Sequence, residues 1–283
     1  MRKSSFYIFT LTILVLNCCI LTHLSIERSR ASVLKSDIYF SESFREQDMP
    51  PSLYKELSTV SMFSSEQAEI LTTTMLNGDF HPRILSTNSD VFLKYKKEEY
   101  LNLQKYYEAI WNDLKFFPVA DSHIYFEDSW MSSRTYLKKK HYHEGTDLFG
   151  EHTEPGFYPI VSITDGTVEQ KGWIPLGGYR IGIRSTSGGY FYYAHLDSYE
   201  KDFMPGDSVC AGDILGYMGN TGYEEEGTVG NFPVHLHLGI YITVSTSENL
   251  IPGGASDYTP EISVNPFSIL RYLRKNIRNY TYS

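Results

Sequence analysis

The feature that most limits how this chain can fold begins after Pro118. From there, short runs rich in Tyr, Val and Ile alternate with glycine-bearing turns: YPIVSI, GTVEQ, YRIGIRS, GYFYYAHL, DSVCAGDILGYMG and VHLHLGIYI. Side chains in a strand alternate between two faces, and β-branched and aromatic residues suit a pleated, half-buried surface. Such runs, broken often by turns, predict a mainly β, antiparallel domain, either a barrel or a sandwich. The 23 tyrosines of the chain support the same reading, and no internal repeat is visible.

Before Pro118 the texture is helical. Residues 30–50 are polar and end at Pro50-Pro51, which predicts a linker. Ser64 and Gln67 are spaced as a capping box. The helix they open runs through AEILTTTML to Asn77-Gly78, a good stop. A second helix is predicted from Ser89-Asp90, because Tyr100, Leu103, Tyr107, Ile110 and Leu114 form one apolar stripe at helical spacing. After the β region, FSILRYLRKNI predicts a closing helix or a surface segment.

The N-terminus carries its own signal. Residues 6–24 read FYIFTLTILVLNCCILTHL, with no acidic or basic residue except His23. A run of that length suggests a transmembrane helix. The following SIERSRAS is a poor cleavage site, so an uncleaved single-pass signal anchor is expected over secretion after signal-peptide cleavage. Val15-Leu16-Asn17-Cys18 is only a weak lipoprotein signal, because Asn17 stands where a small residue is wanted. Positive charge lies on both flanks and orients the helix weakly. Either export route puts residues 30–283 outside the cytoplasm. The expected organisation is an anchor over 1–29, a linker over 30–50, a helical region over 51–117, a β domain over 118–272 and a tail over 273–283.

Composition removes several classes. With 283 residues, 41% of them apolar, the chain can bury a large core. A net charge of −9 with no basic stripe argues against nucleic-acid binding. Of three cysteines, Cys18 and Cys19 lie in the apolar run, so Cys210 has no partner for an internal disulfide and a four-Cys zinc site is excluded.

The chemistry lies with the histidines. In VHLHLGIY, His235 and His237 share one strand face while Val234, Leu236, Leu238 and Ile240 share the other. An unpaired buried polar group costs about 1–3 kcal/mol. Either both rings are hydrogen-bonded to neighbours or they belong to a metal or catalytic site. A second cluster reads KKKHYHEGTDLFG, with His143 and Asp147 four residues apart. On a straight strand they would stand about 13 Å apart, too far for one metal with bonds of about 2.0–2.2 Å. A bend permitted by Gly145 would let them converge. The helical zinc motif H-E-x-x-H is excluded, since its last position is Asp147. A third element, YYAHL, ends an aromatic run on His195.

HEGTD, YAHL and HLH, in that order within a glycine-rich β region and with GDSVCAGDILGYMGNTG between the last two, resemble the LytM/lysostaphin-like zinc metallopeptidases. The resemblance covers residues 118–272 and leaves 1–117 uncovered. It implies that His143, Asp147 and His237 hold one Zn2+ per chain, leaving a fourth position open. It also implies that His195 and His235 are the catalytic histidines that do not bind metal. The expected function is a membrane-anchored extracytoplasmic endopeptidase that hydrolyses peptide bonds of bacterial peptidoglycan. The alternative is a non-catalytic LytM-type scaffold or activator of other wall enzymes, in division or sporulation. The implied partners are the peptidoglycan peptide and the membrane, and no protein partner is indicated.

Two departures from the family pattern stand out. YEEEGTVGNFPV, between Gly222 and His235, is longer and more acidic than the usual turn, and LGIY after HLH lacks an acidic residue. The first reading of Glu224, Glu225 and Glu226 is a solvated loop. The second is a rim that selects amine-bearing substrates or restrains access. His141 and His152 are expected at the surface or behind the site, with His141 an alternative ligand.

Overall fold

The alternating runs pair edge to edge, because each strand leaves a row of backbone donors and acceptors that a neighbouring strand satisfies. The computed structural model describes residues 2–58, 65–136, 139–244 and 261–281. The strands are β1 (Ile124–Phe126), β2 (Ser133–Tyr136), β3 (Lys139–Tyr142), β4 (Thr146–Gly150), β5 (Pro159–Val161) and β6 (Gly166–Ile174). They continue as β7 (Gly178–Ser185), β8 (Tyr190–Tyr199), β9 (Ser208–Val209), β10 (Ile214–Met218), β11 (Leu236–Thr243) and β12 (Glu261–Val264). Among the described residues, ten of these form one sheet in the order β1-β4-β11-β8-β7-β6-β9, with β12 beside β11, and β10 pairing β5 and β8. Its ladders are antiparallel, as expected, and β2 with β3 makes a separate two-stranded sheet.

Two strands exchange partners along their length. β11 pairs with β4 through Leu236–Leu238 and with β12 through Ile240–Thr243. β8 pairs with β11 through residues 190–194 and with β10 through residues 196–199. The residue left between those two ladders is His195. On β11, Leu236, Leu238, Ile240 and Ile242 are fully buried. Each such side chain contributes about 1.5–3 kcal/mol, which locks the strand face that presents His237.

The helices are α1 (Arg2–Ala31), α2 (Glu42–Arg45), α3 (Pro51–Ser58), α4 (Ser65–Asn77), α5 (Asp90–Tyr95), α6 (Lys97–Trp111) and α7 (Phe267–Leu273). α4 stops at Asn77 as expected; its capping box on Ser64 lies outside the described residues. α6 buries Tyr100, Leu103, Tyr107 and Ile110, the expected stripe. The single helix expected from Ser89-Asp90 is broken at Lys96, where φ −146° and ψ 42° leave the helical region. Leu114 therefore packs on the core from beyond the end of α6. α7 realises the closing helix and buries Ile269, Leu270 and Leu273.

Residues 30–50 correct an expectation. They do not form a free linker: Leu34, Tyr39, Phe44 and Met49 are all buried. These side chains recur at every fifth position, which matches neither helix nor strand, so the apolar residues were masked by a polar average. The Ser41 hydroxyl accepts the Phe44 N–H at 3.2 Å and starts α2. Arg45 then reaches β12, donating to the Ser263 carbonyl at 2.9 Å and its hydroxyl at 2.8 Å. Trp111 Nε1 donates to Gln47 Oε1 at 2.8 Å. The helical region and the sheet share one contiguous core.

α1 differs from the rest. From Phe6 to Leu21 its large apolar side chains are exposed, and residues Phe6–Ala31 contain a window of mean hydropathy 1.9, none of it buried. By length and composition it is a candidate membrane span.

Phe44→Ala in the full chain should lower unfolding free energy by about 3–5 kcal/mol, read as a shifted denaturant midpoint in detergent. An unshifted midpoint would mean that residues 30–50 do hang free.

Candidate active site

The site starts from one cross-strand pair. His237 on β11 lies directly opposite Asp147 on β4, and opposed residues hold their Cβ atoms about 4.5–5.5 Å apart on one face. His143 arrives from outside the ladder. The chain leaves β3 after Tyr142, runs irregularly through His143 and Glu144, and bends at Gly145. A Cβ on Gly145 would stand 2.5 Å from the Leu238 carbonyl oxygen and 2.6 Å from His237 Cε1. Glycine is required because the loop lies flat on β11, not for an unusual φ. The bend folds the span of about 13 Å of a straight strand into contact: His143 Nε2 is 2.9 Å from Asp147 Oδ1.

Three donor atoms now form a small triangle. His143 Nε2 is 2.9 Å from His237 Nδ1, which is 3.1 Å from Asp147 Oδ1. The Ser129 carbonyl, 3.0 Å from His143 Nδ1, can only accept, so that nitrogen carries the proton. In a neutral ring Nε2 therefore turns a lone pair toward Asp147 Oδ1. Lone pairs at that distance repel unless a cation lies among them. Two imidazole nitrogens and a carboxylate oxygen are a donor set suited to zinc, and the residues fit that metal. Arg134, on β2, donates to the other carboxylate oxygen, Asp147 Oδ2, at 3.0 Å. Sequence reasoning missed this contact, since nothing local links the two residues.

The other two histidines stand beside the triangle. His235 bridges to Gly219 just before β11 and shares the His237 face. Its Nδ1 donates to the Pro233 carbonyl at 2.8 Å, and its Nε2 lies 3.7 Å from Asp147 Oδ1. His195 gets there by a bulge. Regular alternation would turn it into the core with Tyr193, but φ is +62° at His195, a conformation costing on the order of 1–3 kcal/mol for a residue with a side chain. The bulge turns the ring into the groove, where its Nδ1 donates to the Thr221 carbonyl at 2.8 Å. The rings of His195 and His235 lie 4.7 Å apart. In both, the backbone carbonyl fixes the proton on Nδ1 and leaves the Nε2 lone pair free.

Electrostatics follow from burial. Desolvation opposes charge on Asp147, yet the surrounding imidazoles of His143, His237 and His235 hold its carboxyl well below the usual range. Burial pushes His195 well below the ordinary imidazole value, with His235 and His237 adding to the effect. Burial also lowers His235 and His237, against the pull of Asp147.

These residues line a groove of about 520 Å³ with Arg134, Arg180, Tyr190, Tyr192 and Tyr241. His141 lines the same groove but stands outside the donor triangle. His152 is exposed and stacks on Phe157, with ring centroids 3.9 Å apart. Glu224, Glu225 and Glu226 are solvated, as the first reading of that loop expects. The aromatic residues of that loop matter more here. Phe232 packs edge-on against His195 at 4.6 Å, and Tyr223 lies parallel to it at 6.1 Å.

An antiparallel sheet carrying a buried His–Asp–His triangle and two further histidines in an open groove has the layout of a metallopeptidase. Residues 141–249 match Peptidase family M23. The chain is 36% identical to a solved lytM structure from Ruminococcus gnavus, covering 91% of this chain and 99% of that one with a TM-score of 0.69. It is 38% identical over 144 residues to the L-Ala–D-Glu endopeptidase of Bacillus subtilis (strain 168), covering 50% of this chain and 43% of that protein. It is also 35% identical over 83 residues to the glycyl-glycine endopeptidase ALE-1 of Staphylococcus capitis, covering 29% and 21% respectively. The chain thus spans less than half the length of these two curated relatives. It belongs to the LytM-type peptidases of family M23.

Gly145→Ala should destabilise the fold by about 1–3 kcal/mol, read in urea denaturation, because a methyl group would displace either Leu238 or the His237 ring. An unchanged midpoint would show that the loop has room for it.

Proposed function

We propose that this chain is a zinc-dependent endopeptidase that cleaves peptide bonds of bacterial peptidoglycan. The observation that carries this reading is the convergence of His143 Nε2, Asp147 Oδ1 and His237 Nδ1 within about one bond length of a common point, with two neutral histidines alongside. These three atoms would hold the metal. When bound, zinc supplies a Lewis acid for the scissile carbonyl and acidifies water.

The remaining chemistry belongs to the chain. His195 and His235 each offer an Nε2 lone pair that accepts a proton from the attacking water. The protonated ring then donates to the oxyanion of the tetrahedral intermediate or returns the proton to the leaving amine. The carbonyls of Thr221 and Pro233 keep both rings in the tautomer for that task. Arg134 orients Asp147 and leaves its Oδ1 directed at the triangle. With both bases present alongside the triangle, turnover is favoured over a scaffold role.

The substrate class is supported by relatives named for cleavage at L-Ala–D-Glu and glycyl-glycine bonds. A D-amino acid points to wall peptides, since ribosomally synthesised proteins are built from L-amino acids. α1 would anchor the chain, single-pass, with the groove on the extracytoplasmic side.

The test uses the full chain in detergent, with zinc per chain and amino groups released from purified peptidoglycan measured on one sample. Wild type should hold about one zinc and release amines. Asp147→Ala and His237→Ala should lose the metal, whereas His195→Ala should keep it and lose about 10²–10⁴ in turnover. Full hydrolysis by His195→Ala would overturn the mechanism, and folded wild type that binds no zinc would overturn the metal site.

A further inference from the structure

We propose that Arg180 reads a free carboxylate on the substrate next to the scissile bond, so that the groove selects acidic peptides over neutral ones. This rests on the peptidase reading of the same site and names its substrate chemistry.

The first support is position. β7 and β8 pair Tyr179 with Leu196 and Ile181 with Tyr193. Arg180 therefore opposes both Ala194 and His195, the two residues of the bulge. On the other side of β8, Ala194 pairs with His237. One row across the sheet reads His237, Ala194, Arg180. Two strand spacings put the backbones of His237 and Arg180 about 10 Å apart, with Ala194 on the strand between them.

The second support is charge. A guanidinium carries five N–H donors in a planar fork suited to a carboxylate. Arg180 lines the groove, yet its Nη1 is buried without an acceptor. No ion pair reaches it among the described residues. The other groove arginine, Arg134, is committed to Asp147. The Glu261 carboxylate is held by Arg184, which also grips Glu169. The groove thus keeps, among the described residues, one arginine that no carboxylate contacts, beside the histidine on which turnover depends.

The wall around Arg180 is also built for an anion. Tyr190 and Tyr192 line the groove on the neighbouring strand. Gly182 and Gly177 leave space that their hydroxyls fill, since a Cβ at either glycine would collide with the phenol oxygen. Burial keeps both phenols neutral, Tyr190 being pushed up to about 12, so they can donate alongside the guanidinium. An extended peptide advances about 3.3–3.6 Å per residue. A carboxylate on the residue adjoining the scissile bond therefore comes within reach of the Arg180 side chain when the scissile carbonyl sits at the triangle. A D-Glu with a free α-carboxylate supplies that group. An oligoglycine bridge does not.

The experiment compares two synthetic peptides with the full chain in detergent. One carries L-Ala–D-Glu with a free α-carboxylate, and the other differs only in having that group amidated. kcat/KM is measured for each, and calorimetric binding of each is measured on chelator-treated protein, where no turnover occurs. Wild type should favour the acid by about 10- to 100-fold in both readouts. Arg180→Gln should bring the ratio close to unity, and Arg180→Lys should retain part of it. Equal treatment of the two peptides by wild type, or an Arg180→Gln variant that slows both equally, would overturn the proposal while leaving the peptidase reading intact. Arg180-dependent preference in binding without hydrolysis of either peptide would support the carboxylate site and overturn the peptidase reading. Neither binding nor hydrolysis would overturn both.

Discussion

The architecture of the groove depends on one register, that between β4 and β11, which places Asp147 opposite His237. A slip by one residue would turn His237 into the core and Leu236 or Leu238 toward water. The apolar face of β11 makes that slip costly, because its leucines and isoleucines are fully buried. Burial on one face thus sets the geometry of the polar face. Gly145 completes the arrangement, since only a residue without Cβ lets the His143 loop lie against Leu238 and the His237 ring.

The second constraint is the bulge in β8. A strand shared between β11 and β10 must change partner somewhere, and it does so at His195. The left-handed backbone there is the cost of turning an inward position outward. His195, His235 and His143 are each held through Nδ1 by a backbone carbonyl, of Thr221, Pro233 and Ser129 respectively. Three rings with fixed tautomers present their Nε2 atoms to one small volume. Such preorganisation matters because a site that must reorient its dipoles during reaction loses much of their value.

The helical half of the chain forms part of the scaffold. Arg45 grips β12, the strand beside β11, and lies over Trp130 with its guanidinium 5.0 Å from the ring centroid. Asn265, just after β12, donates its amide to Asp128 and Glu46. Asp128 and Trp130 flank Ser129, the residue whose carbonyl orients His143. The segment after α1 is thereby packed against the elements that frame the groove.

Much of the site could be read from the chain because its chemistry is locally encoded. The period-two pattern predicted strands, the HLH alternation put two rings on one face, and Gly145 between His143 and Asp147 predicted the bend that the structure contains. The apolar stripe of α6 was equally plain. What the sequence could not show depends on residues far apart along the chain. The Arg134 contact, the carbonyl partners of the histidines, the bulge at His195 and the position of Arg180 all follow from strand register. The packing of residues 30–50 has the same origin: Arg45 and Ser263 are separated by 218 residues. By itself the sequence determined the residue types, their order and the strand faces wherever alternation runs unbroken, because these follow from local stereochemistry. Only the tertiary structure decided which side chains meet and which charge is left unpaired, because long-range pairing and burial set those distances.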